Sequence, residues 1–591
     1  MKSENKKRAN SLVILYMIFL LAILGVTYRY GSLAIGGYDE KQSTSTALKD
    51  RAKRGSIITS DGYHVAYTTK TYSIGFKNHE LPRENREVFA HMISIYTSLR
   101  KDDILRKIEN ANSNSYVMLS QSLTFKEFHN LEKLSDEFRN LGIMKGYKTR
   151  SGNYHFEGLN GRASGSERHY PYGNSATPVI GYTRDKRNSY FKEVVGMKGI
   201  EKRFEEFLRP QDDGFISADK DIVGNIIRNS KIKEKNVQNG YDIHLNINLA
   251  IQRKVEKALD KYKKELEAKE IIVGVMESGT GKMLVLASSN RFWGGNIKPE
   301  EIPFLQVKAS EYIFEAGSVL KPIVYSIVLD KNMIKRGQTI DCENGSYKVG
   351  RKRITDEHRM RIVPAEEIVI HSSNIGMIKI TEALNGIDFN LGLRKFGFGE
   401  ESGSEVSLEN SGSLNTPKQL NSITYKATAS FGHGFTVNFI QLLKASNVFN
   451  NDGKIVTPKI VAYLKDANGN MSPPDRALHP DGEQVVSVST SRKMKNILVR
   501  TVKEGTGKKT DIDGLEIGGK TGTAHIVKNG SYIREYHSSF FGFANDKEKR
   551  YTIGVTVVQP QRNHFASQSA VPVFRNVIEL LVEEKYLKKF N

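Results

Sequence analysis

The chain has almost no cysteine and lacks several common catalytic and metal-binding signatures. Its single cysteine, Cys342, excludes a disulfide bond within the chain but leaves the compartment open. There is no G-x-S-x-G motif of serine hydrolases, no H-E-x-x-H motif of zinc peptidases and no spacing that joins the histidines into a metal site. We find no internal repeat and no low-complexity tract. We therefore expect a globular protein with neither a metal nor a cofactor.

Positive charge is abundant, but it is not concentrated. The formal net charge is +22 and the pI is about 9.5, values that nucleic-acid-binding proteins also show. However, the basic residues are scattered, with no RNA-binding, zinc-finger or basic-helix pattern. This distribution favours a diffuse positive field that faces anionic lipids or polymers, and it predicts no nucleic-acid partner.

The N-terminus has the features of a membrane anchor. Residues 11–28 are apolar and uncharged, which is just enough to cross a bilayer as one helix. Basic residues precede this run, and such residues stay in the cytoplasm: Lys2, Lys6, Lys7 and Arg8. We predict a cytoplasmic tail at 1–10, a transmembrane helix at 11–28 and an extracytoplasmic body. A signal peptide cleaved near residues 32–34 is the alternative, but the apolar run is longer than usual for one.

The remaining chain is too long for one core and divides into two predicted regions. Residues 29–240 are polar and basic, with strand-like pieces at 56–58 and 72–76, a helical piece at 125–139 and no active-site pattern. This region is predicted to be a spacer or docking module.

The second region, residues 241–591, begins with a strand-like alternation at 243–248. Further predicted elements follow the same patterns: a helix at 249–269, strands at 271–276, 283–287 and 551–558, and an amphipathic helix at 573–586. Together they predict a sheet that is covered by helices.

Three short motifs in this second region carry the predicted chemistry. They are S-x-x-K at Ser318 and Lys321, S-x-N at Ser372 and Asn374, and K-T-G beginning at Lys520. The S-x-x-K and S-x-N patterns are common by chance, whereas K-T-G occurs once. In this order the three match the set of serine acyltransferases that act on penicillins.

The first motif pairs a nucleophile with a base. If Ser318 opens a helix, Lys321 lies on the same face one turn later, so that its Nζ can reach the serine Oγ. A lysine whose pKa is lowered by burial and by nearby cations can take the serine proton. The alternative is an ordinary helix start with serine as the N-cap.

The other two motifs supply substrate contacts. Ser372 can relay a proton to the leaving amine and Asn374 can hold a substrate amide, although a polar turn is the commoner meaning of this pattern. Strand alternation places Lys520 and Gly522 on one face and two hydroxyl side chains on the other, those of Thr521 and Thr523. A lysine beside hydroxyl donors suits a substrate carboxylate, and Gly522 is expected to leave room for a ligand along the strand.

Residues 514–521 also satisfy the phosphate-loop pattern G-x-x-x-x-G-K-[ST]. A phosphate loop needs an apolar strand before it and a helix after it. Here a charged segment precedes the pattern, and a segment with the composition of a strand follows it. We therefore disfavour nucleotide binding.

With these motifs in place, the sequence resembles the class B, monofunctional penicillin-binding proteins over nearly its whole length. Further similar segments are Arg54 with Asp61 and Gly62, Arg168 to Pro171, Gly196 to Phe204, Phe431 to Gly434 before Gln441, and Ser539 to Ala544. The family implies an α/β (α+β) architecture: an N-terminal transmembrane helix, an elongated pedestal domain at 29–240 and a transpeptidase domain at 241–591 with a central antiparallel sheet covered by helices. One departure is the turn at residues 55–62, where the family more often has Asp-Arg-Asn-Gly.

The resemblance also implies a reaction. Ser318 would attack the penultimate D-alanine of a peptidoglycan stem peptide, and backbone N–H groups of Ser318 and Thr523 would form the oxyanion hole. Lys520, Thr521 and Thr523 would hold the terminal carboxylate. An amine from a neighbouring stem would then complete a cross-link, while β-lactam antibiotics would stop at the acyl-enzyme.

Within the family, the chain resembles division-type members, because Glu315 stands three residues before Ser318 where elongation-type members more often have Pro-Pro-Gly. This implies a polytopic glycosyltransferase and other division proteins as partners in the cytoplasmic membrane. An elongation-type member is the alternative. The rivals are a D,D-carboxypeptidase or β-lactamase, disfavoured because Glu382 lies in a predicted helix, and a β-lactam sensor, disfavoured by the short cytoplasmic tail.

Overall fold

The computed structural model describes residues 2–35, 45–148, 152, 154–188, 191–219, 233–474, 481–528 and 531–590. Within them the helices are α1 (Lys2–Ile35), α2 (Arg86–Tyr96), α3 (Lys101–Glu109), α4 (Phe125–Asn140), α5 (Thr177–Ile180), α6 (Gly199–Arg203), α7 (Glu205–Leu208), α8 (Leu249–Glu265), α9 (Lys308–Glu311), α10 (Lys321–Asp330), α11 (Glu367–Ile370), α12 (Asn374–Thr381), α13 (Gly386–Lys395), α14 (Pro417–Leu420), α15 (Ile423–Ser430), α16 (Phe439–Asn447), α17 (Val488–Lys503) and α18 (Ala570–Glu583).

The strands of the same residues are β1 (Ser45–Asp50), β2 (Ile57–Ile58), β3 (His64–Lys77), β4 (Tyr116–Leu123), β5 (Tyr147–Lys148), β6 (Tyr154–His155), β7 (Asn160–His169), β8 (Thr183–Asn188), β9 (Phe191–Gly196), β10 (Gly214–Asp219), β11 (Lys233–Lys235), β12 (Asp242–Leu245), β13 (Glu270–Glu277), β14 (Met283–Ser288), β15 (Ile313–Phe314), β16 (Thr339–Asp341), β17 (Ser346–Val349), β18 (Lys352–Thr355), β19 (Ile362–Pro364), β20 (Val437–Asn438), β21 (Val461–Lys465), β22 (Met471–Ser472), β23 (Glu516–Lys528), β24 (Ser531–Asn545) and β25 (Arg550–Val558).

The chain forms two compact units, of which the smaller comprises Met1–Ala52 and Asp212–Gln238. It contains α1 and a three-stranded antiparallel sheet in the order β1-β10-β11. The apolar part of α1 is Val13–Gly31, whose 19 residues are enough to span a bilayer. The predicted helix is therefore present, with its apolar stretch two to three residues later than 11–28.

The larger unit comprises Lys53–Gln211 and Asn239–Asn591. Its five-stranded sheet has the order β14-β13-β25-β24-β23, and every neighbouring pair is antiparallel, as predicted. Alternate side chains of β13 face opposite cores: Val273 packs with α8 and α18, and Ile272 packs with α16. Both faces of the sheet are therefore covered by helices.

A second, nine-stranded sheet crosses the boundary predicted at residue 240. Its path is β22-β21-β12-β2-β3-β7-β9-β8, with β4 also paired to β3. Here Ile243 of β12 lies beside Ile57 of β2 in a parallel pair and beside Leu464 of β21 in an antiparallel pair. The residues on the two sides of the predicted boundary thus share one continuous sheet.

A buried ionic cluster joins three of the segments that carried the family resemblance. The Glu201 carboxylate accepts hydrogen bonds from Arg54 Nε at 2.9 Å and from Arg168 Nε at 2.8 Å. Burial alone would raise the pKa of Glu201, but the two guanidinium groups hold it below its ordinary value. Removing one partner of such a buried pair typically costs about 3–5 kcal/mol because the remaining charge is left without compensation, so the three side chains are required together.

Three predicted helix boundaries were wrong by a few residues. The helix expected over 249–269 ends at Glu265, and Glu267 has a left-handed φ of +47° that stops it. The final helix starts at Ala570 rather than at 573 and ends at Glu583, just before Lys585 with a φ of +63°. Hydrophobic periodicity does not report such local backbone reversals.

Candidate active site

The predicted nucleophile lies on a tight turn. Residues Gly317–Leu320 form a 3₁₀ turn between β15 and α10, and Gly317 has a φ of +59° that favours glycine. Ser318 is partly exposed, whereas Val319 and Leu320 are buried. The α-helix starts at Lys321 rather than at the predicted Ser318. The turn therefore presents one hydroxyl at the rim of an apolar core.

Lys321 is fully buried and reaches the second motif. Its Nζ donates to the Ser372 carbonyl oxygen at 2.5 Å and lies 3.2 Å from the Ser372 hydroxyl oxygen. Burial, with a further contribution from Lys520, lowers the pKa of Lys321 well below its ordinary value. Among the described residues, no hydrogen bond joins Lys321 Nζ to Ser318 Oγ, so the hydrogen bond that would pass the serine proton to the lysine is not formed here.

The second motif is held in an unusual backbone conformation. Ser372 has a φ of +62°, which non-glycine residues seldom adopt. The next residue, Ser373, caps α12 by accepting from Gly376 N at 2.8 Å. Asn374 Nδ2 donates to Thr355 O at 3.0 Å, which orients the amide.

Asp356 supports this motif and was not anticipated from the sequence. One carboxylate oxygen accepts from Asn374 N at 2.6 Å and from Ile375 N at 3.2 Å, and the other accepts from Ser373 Oγ at 2.5 Å. An acidic group at a helix N-terminus is favourable. Asp356 lies 18 residues before Asn374 and belongs to no motif, so that no pattern in the sequence marked it.

The third motif lies on β23, beside β24. The Lys520 side chain is buried, and its Nζ lies 3.1 Å from Thr521 O and 3.3 Å from Thr521 Oγ1. Burial lowers the pKa of Lys520 to about 7, while Glu357 acts in the opposite direction. Near neutral pH this amine therefore exists in both protonation states.

The two threonine hydroxyls of this motif are oriented by neighbouring groups. Thr521 Oγ1 lies 2.6 Å from Thr506 Oγ1, and Thr523 Oγ1 accepts from Ala566 N at 3.1 Å. Both hydroxyls therefore have defined positions on the strand that also carries Lys520.

Gly522 brings the third motif against the first. A Cβ atom at this position would lie 2.8 Å from Val319 Cγ1, 3.0 Å from Val319 N and 3.2 Å from Ala316 O. The expectation that Gly522 leaves room for a ligand was wrong, because the turn that carries Ser318 fills that space. The glycine instead permits the close approach of strand and turn.

A glycine-rich loop at residues 431–434 fixes the other side of the turn. Gly317 N donates to Gly432 O at 3.0 Å, and Gly434 N donates to Glu315 Oε1 at 2.8 Å. Tyr532 OH lies 3.1 Å from Glu315 Oε2. Loop, turn and the β23–β24 hairpin thus meet at Glu315.

The structure also excludes the context of a phosphate loop. Within the sequence that matches that pattern, residues 516–521 belong to β23, and the same strand continues to Lys528. No helix follows the glycines, as a phosphate loop requires. Glu382, the other residue weighed from the sequence, is exposed at the end of α12.

Comparison with protein families matches both parts of the chain. The family described as "Penicillin binding protein transpeptidase domain" matches residues 271–579, and "Penicillin-binding Protein dimerisation domain" matches residues 49–245. The first match contains all three motifs and the second contains Arg54, Arg168 and Glu201. The resemblance to class B penicillin-binding proteins is confirmed.

Similar proteins include the probable peptidoglycan D,D-transpeptidase PenA of Neisseria gonorrhoeae, 25% identical over 96% of this chain and 91% of the relative. The peptidoglycan D,D-transpeptidase FtsI of Buchnera aphidicola is 28% identical over 72% of this chain and 71% of its own length. Among solved structures, penicillin binding protein 2X from Streptococcus thermophilus has a TM-score of 0.73 at 21% identity, covering 92% of this chain and 82% of that one. Since a transpeptidase-domain match spans more than half of the sequence and includes the three motifs that meet in the fold, the chain belongs to the penicillin-binding protein transpeptidase family.

Proposed function

We propose that this chain is a membrane-anchored peptidoglycan D,D-transpeptidase whose acylated nucleophile is Ser318. One observation supports this most strongly: Lys321 Nζ contacts Ser372, while the turn of Ser318 packs on Gly522 of the K-T-G strand. Three motifs that are distant in sequence thereby form one site. The names of the relatives point to the same activity.

Acylation uses the depressed pKa of Lys321. An unprotonated amine takes the Ser318 proton as Oγ attacks the carbonyl carbon of the penultimate D-alanine. Backbone N–H groups of Ser318 and Thr523 stabilise the oxyanion. The peptide bond then breaks, and Lys321 returns the proton through Ser372 to the nitrogen of the departing D-alanine.

Substrate binding uses the groups around the turn. Lys520, with the hydroxyls of Thr521 and Thr523, binds the terminal carboxylate through charge-assisted hydrogen bonds. Asn374 binds a backbone amide of the stem peptide. Gly522 acts through packing rather than by contact with substrate.

The second half-reaction transfers the acyl group to an amine of a neighbouring stem peptide. The amine nitrogen bonds to the acyl carbon and gives up one proton, the Ser318 ester bond breaks, and that proton passes to Ser318 Oγ. A β-lactam acylates the same serine, but its opened ring remains attached and blocks the site.

The location and partners follow from the N-terminus and from the resemblance. Residues 1–10 lie in the cytoplasm, α1 crosses the cytoplasmic membrane once, and a pedestal at 29–240 carries the catalytic region at 241–591 outside it. A role in septal synthesis, beside a polytopic glycosyltransferase and other division proteins, is supported by Glu315 before the nucleophile and by a relative named FtsI.

The test uses the full chain in detergent with a D-Ala-D-Ala peptide and an amine acceptor. D-alanine release together with amide product, both lost in Ser318→Ala, supports the transpeptidase. Release of D-alanine with only hydrolysed peptide would indicate a D,D-carboxypeptidase instead. Turnover that persists in Ser318→Ala would rule out the proposed nucleophile.

A further inference from the structure

A strongly basic surface lies beside the second motif and has no part in the acyl transfer described above. It is formed by the hairpin of β17 and β18 with the segment that follows to residue 361, where six basic residues stand against two acidic ones. Although the basic residues are scattered along the chain as a whole, they are concentrated here, and all six are exposed. This basic patch consists of Lys348, Arg351, Lys352, Arg353, Arg359 and Arg361.

The carboxylates near the basic patch do little to neutralise it. Asp356 is engaged in capping α12, because its oxygens accept hydrogen bonds from Ser373 and from the first residues of that helix. Glu343, just before β17, pairs with Lys379. Among the described residues, none of the six basic side chains forms an ion pair, and Glu357 is the one fully exposed carboxylate of the segment. The patch therefore keeps a net positive charge.

Two cations of the patch are held directly opposite each other. Lys348 of β17 is the register partner of Arg353 of β18. Like charges at opposed positions of an antiparallel pair are destabilising. Arg353 Nη1 donates to Ser346 Oγ at 2.9 Å, a neutral partner that leaves the charge in place. The hairpin thus holds a charge arrangement that lowers its own stability and that an anionic ligand would relieve.

The hairpin is fixed at the edge of the active site. Its Val349 belongs to the same apolar cluster as Ile378 of α12. On β18, Thr355 O accepts a hydrogen bond from Asn374 Nδ2 at 3.0 Å. Arg353 precedes Thr355 by two residues, which places its backbone about 7 Å farther along the strand. The patch therefore continues outward from the side chain that is proposed to bind the substrate amide.

The proposed substrate supplies an anionic partner for such a surface. Each uncross-linked stem peptide ends in a carboxylate, and the K-T-G motif binds only the carboxylate of the reacting stem. A strand with many stems is therefore a polyanion whose other carboxylates are free. One exposed ion pair contributes little, but several pairs formed by one strand reinforce each other through their effective concentration. Arginine suits these carboxylates because its planar group can form two parallel hydrogen bonds.

We propose that the basic patch binds the carboxylates of stem peptides that neighbour the reacting stem on the same strand. The inference rests on the proposed function, because a stem bound at Ser318 is what brings its neighbours to the hairpin. These contacts raise the affinity for the polymer and take no part in the chemical step. They distinguish a strand of stems from an isolated peptide.

The experiment uses the full chain in detergent and a conjugate of three stems on one short carrier, of which only the central stem ends in D-Ala-D-Ala. The outer stems end in L-alanine, either as the carboxylate or as the carboxamide, so that D-alanine release reports the central stem alone. We expect the wild type to prefer the carboxylate conjugate roughly tenfold in kcat/KM, equivalent to ~1.4 kcal/mol. The preference should shrink as salt is raised from about 0.05 to about 0.5 M, because salt screens exposed charges.

Two triple variants locate the effect. The patch variant, which should lose the preference, carries Lys348→Gln, Arg351→Gln and Lys352→Gln. The control variant removes the same charge from exposed lysines of α4 and α8 and should keep the preference; it carries Lys126→Gln, Lys133→Gln and Lys257→Gln. An equal loss in both variants would mean that the net charge of the chain, and not the patch, attracts the substrate.

Benzylpenicillin labelling separates failure of this proposal from failure of the proposed function. Its rate should be nearly the same in the wild type and in both variants, because the drug carries no neighbouring stems. A wild type that is labelled on Ser318 but does not distinguish the conjugates, or a patch variant that keeps the preference, would overturn the assignment of the patch alone. A wild type that is not labelled would overturn the function on which it rests.

Discussion

The side-chain nitrogen of Lys321 lies 2.5 Å from the carbonyl oxygen of Ser372 and 3.2 Å from its hydroxyl oxygen. Ser372, which supplies this carbonyl, adopts a left-handed φ of +62°. The position of the proposed general base therefore depends on the backbone of the second motif. Groups that hold this backbone should influence acylation without touching the substrate.

Asp356 is the first such group. Asp356→Asn should slow acylation by benzylpenicillin by roughly 10- to 100-fold, because the amide cannot accept all three hydrogen bonds from Ser373, Asn374 and Ile375. The loss of this cap should also lower the free energy of unfolding by about 0.5–2 kcal/mol. Stopped-flow labelling and thermal denaturation measure the two effects.

The neighbouring carboxylate provides the matched control. Glu357 also interacts electrostatically with Lys321 and Lys520, but it is exposed and does not cap α12. Glu357→Gln should therefore change the labelling rate by less than about threefold. Equal effects of the two variants would mean that Asp356 acts through its charge and not through the cap.

The pH dependence of acylation should report Lys520. Burial lowers its pKa to about 7, although the charge of Glu357 acts to raise it. Lys321 is the nearby cation. An amine is charged below its pKa, and the ligand carboxylate needs that charge. The second-order rate constant for benzylpenicillin should therefore fall as the pH rises through about 7.

Lys520→Arg tests the origin of this decline, since arginine stays charged throughout the range. We expect the falling limb to disappear even if the maximal rate is lower. Melting temperatures at each pH exclude unfolding as the cause. An unchanged falling limb in the arginine variant would assign the titration to another group.

Gly522 should be required for packing. In Gly522→Ala the new methyl group would lie 2.8 Å from Val319 Cγ1 and 3.0 Å from Val319 N, so the turn of Ser318 must move. A displacement of the nucleophile by about 1 Å can reduce the rate of acylation by roughly 100-fold. At Gly279 a Cβ atom meets nothing within 4 Å, so Gly279→Ala is the control. Equal labelling rates in the two variants would show that the turn tolerates the methyl group.

Lys321, the buried lysine of the first motif, should be required for activity but should lower the free energy of unfolding. Lys321→Met keeps an unbranched apolar side chain that is one atom shorter and removes an amine whose charged form burial disfavours. We expect a gain of about 0.5–2 kcal/mol in the free energy of unfolding together with loss of acylation. Thermal denaturation of Lys321→Met, compared with that of wild type and of Ser318→Ala, measures this gain in stability. A melting temperature of Lys321→Met below that of wild type would contradict the assigned electrostatics.

The sequence predicted a sheet covered by helices because β13 and β25 carry strong local patterns, whereas its antiparallel order was implied by the resemblance to the family. It placed Ser318, Lys321, Ser372 and Lys520 in one site because short motifs combine residue type with fixed spacing. Their convergence in the fold agrees with that prediction.

Other features depend on contacts between distant residues that have no local pattern. Asp356 reaches Asn374 through the fold, and Ile57 pairs with Ile243 across a predicted domain boundary. The turn that carries Ser318 packs on β23 and lies beside Gly522. The alternation of residues along a strand cannot reveal such a contact. Periodicity reports which face of an element is buried, but not what covers it.

The central claim is that Ser318 is the acylated nucleophile of a transpeptidase, and the most direct test is intact mass spectrometry of the full chain in detergent after exposure to benzylpenicillin. We predict one covalent adduct that persists for hours, maps to the peptide containing Ser318 and is absent from Ser318→Ala. An adduct on another residue, or no adduct, would contradict the claim; rapid loss of the adduct with accumulation of penicilloate would identify a β-lactamase instead.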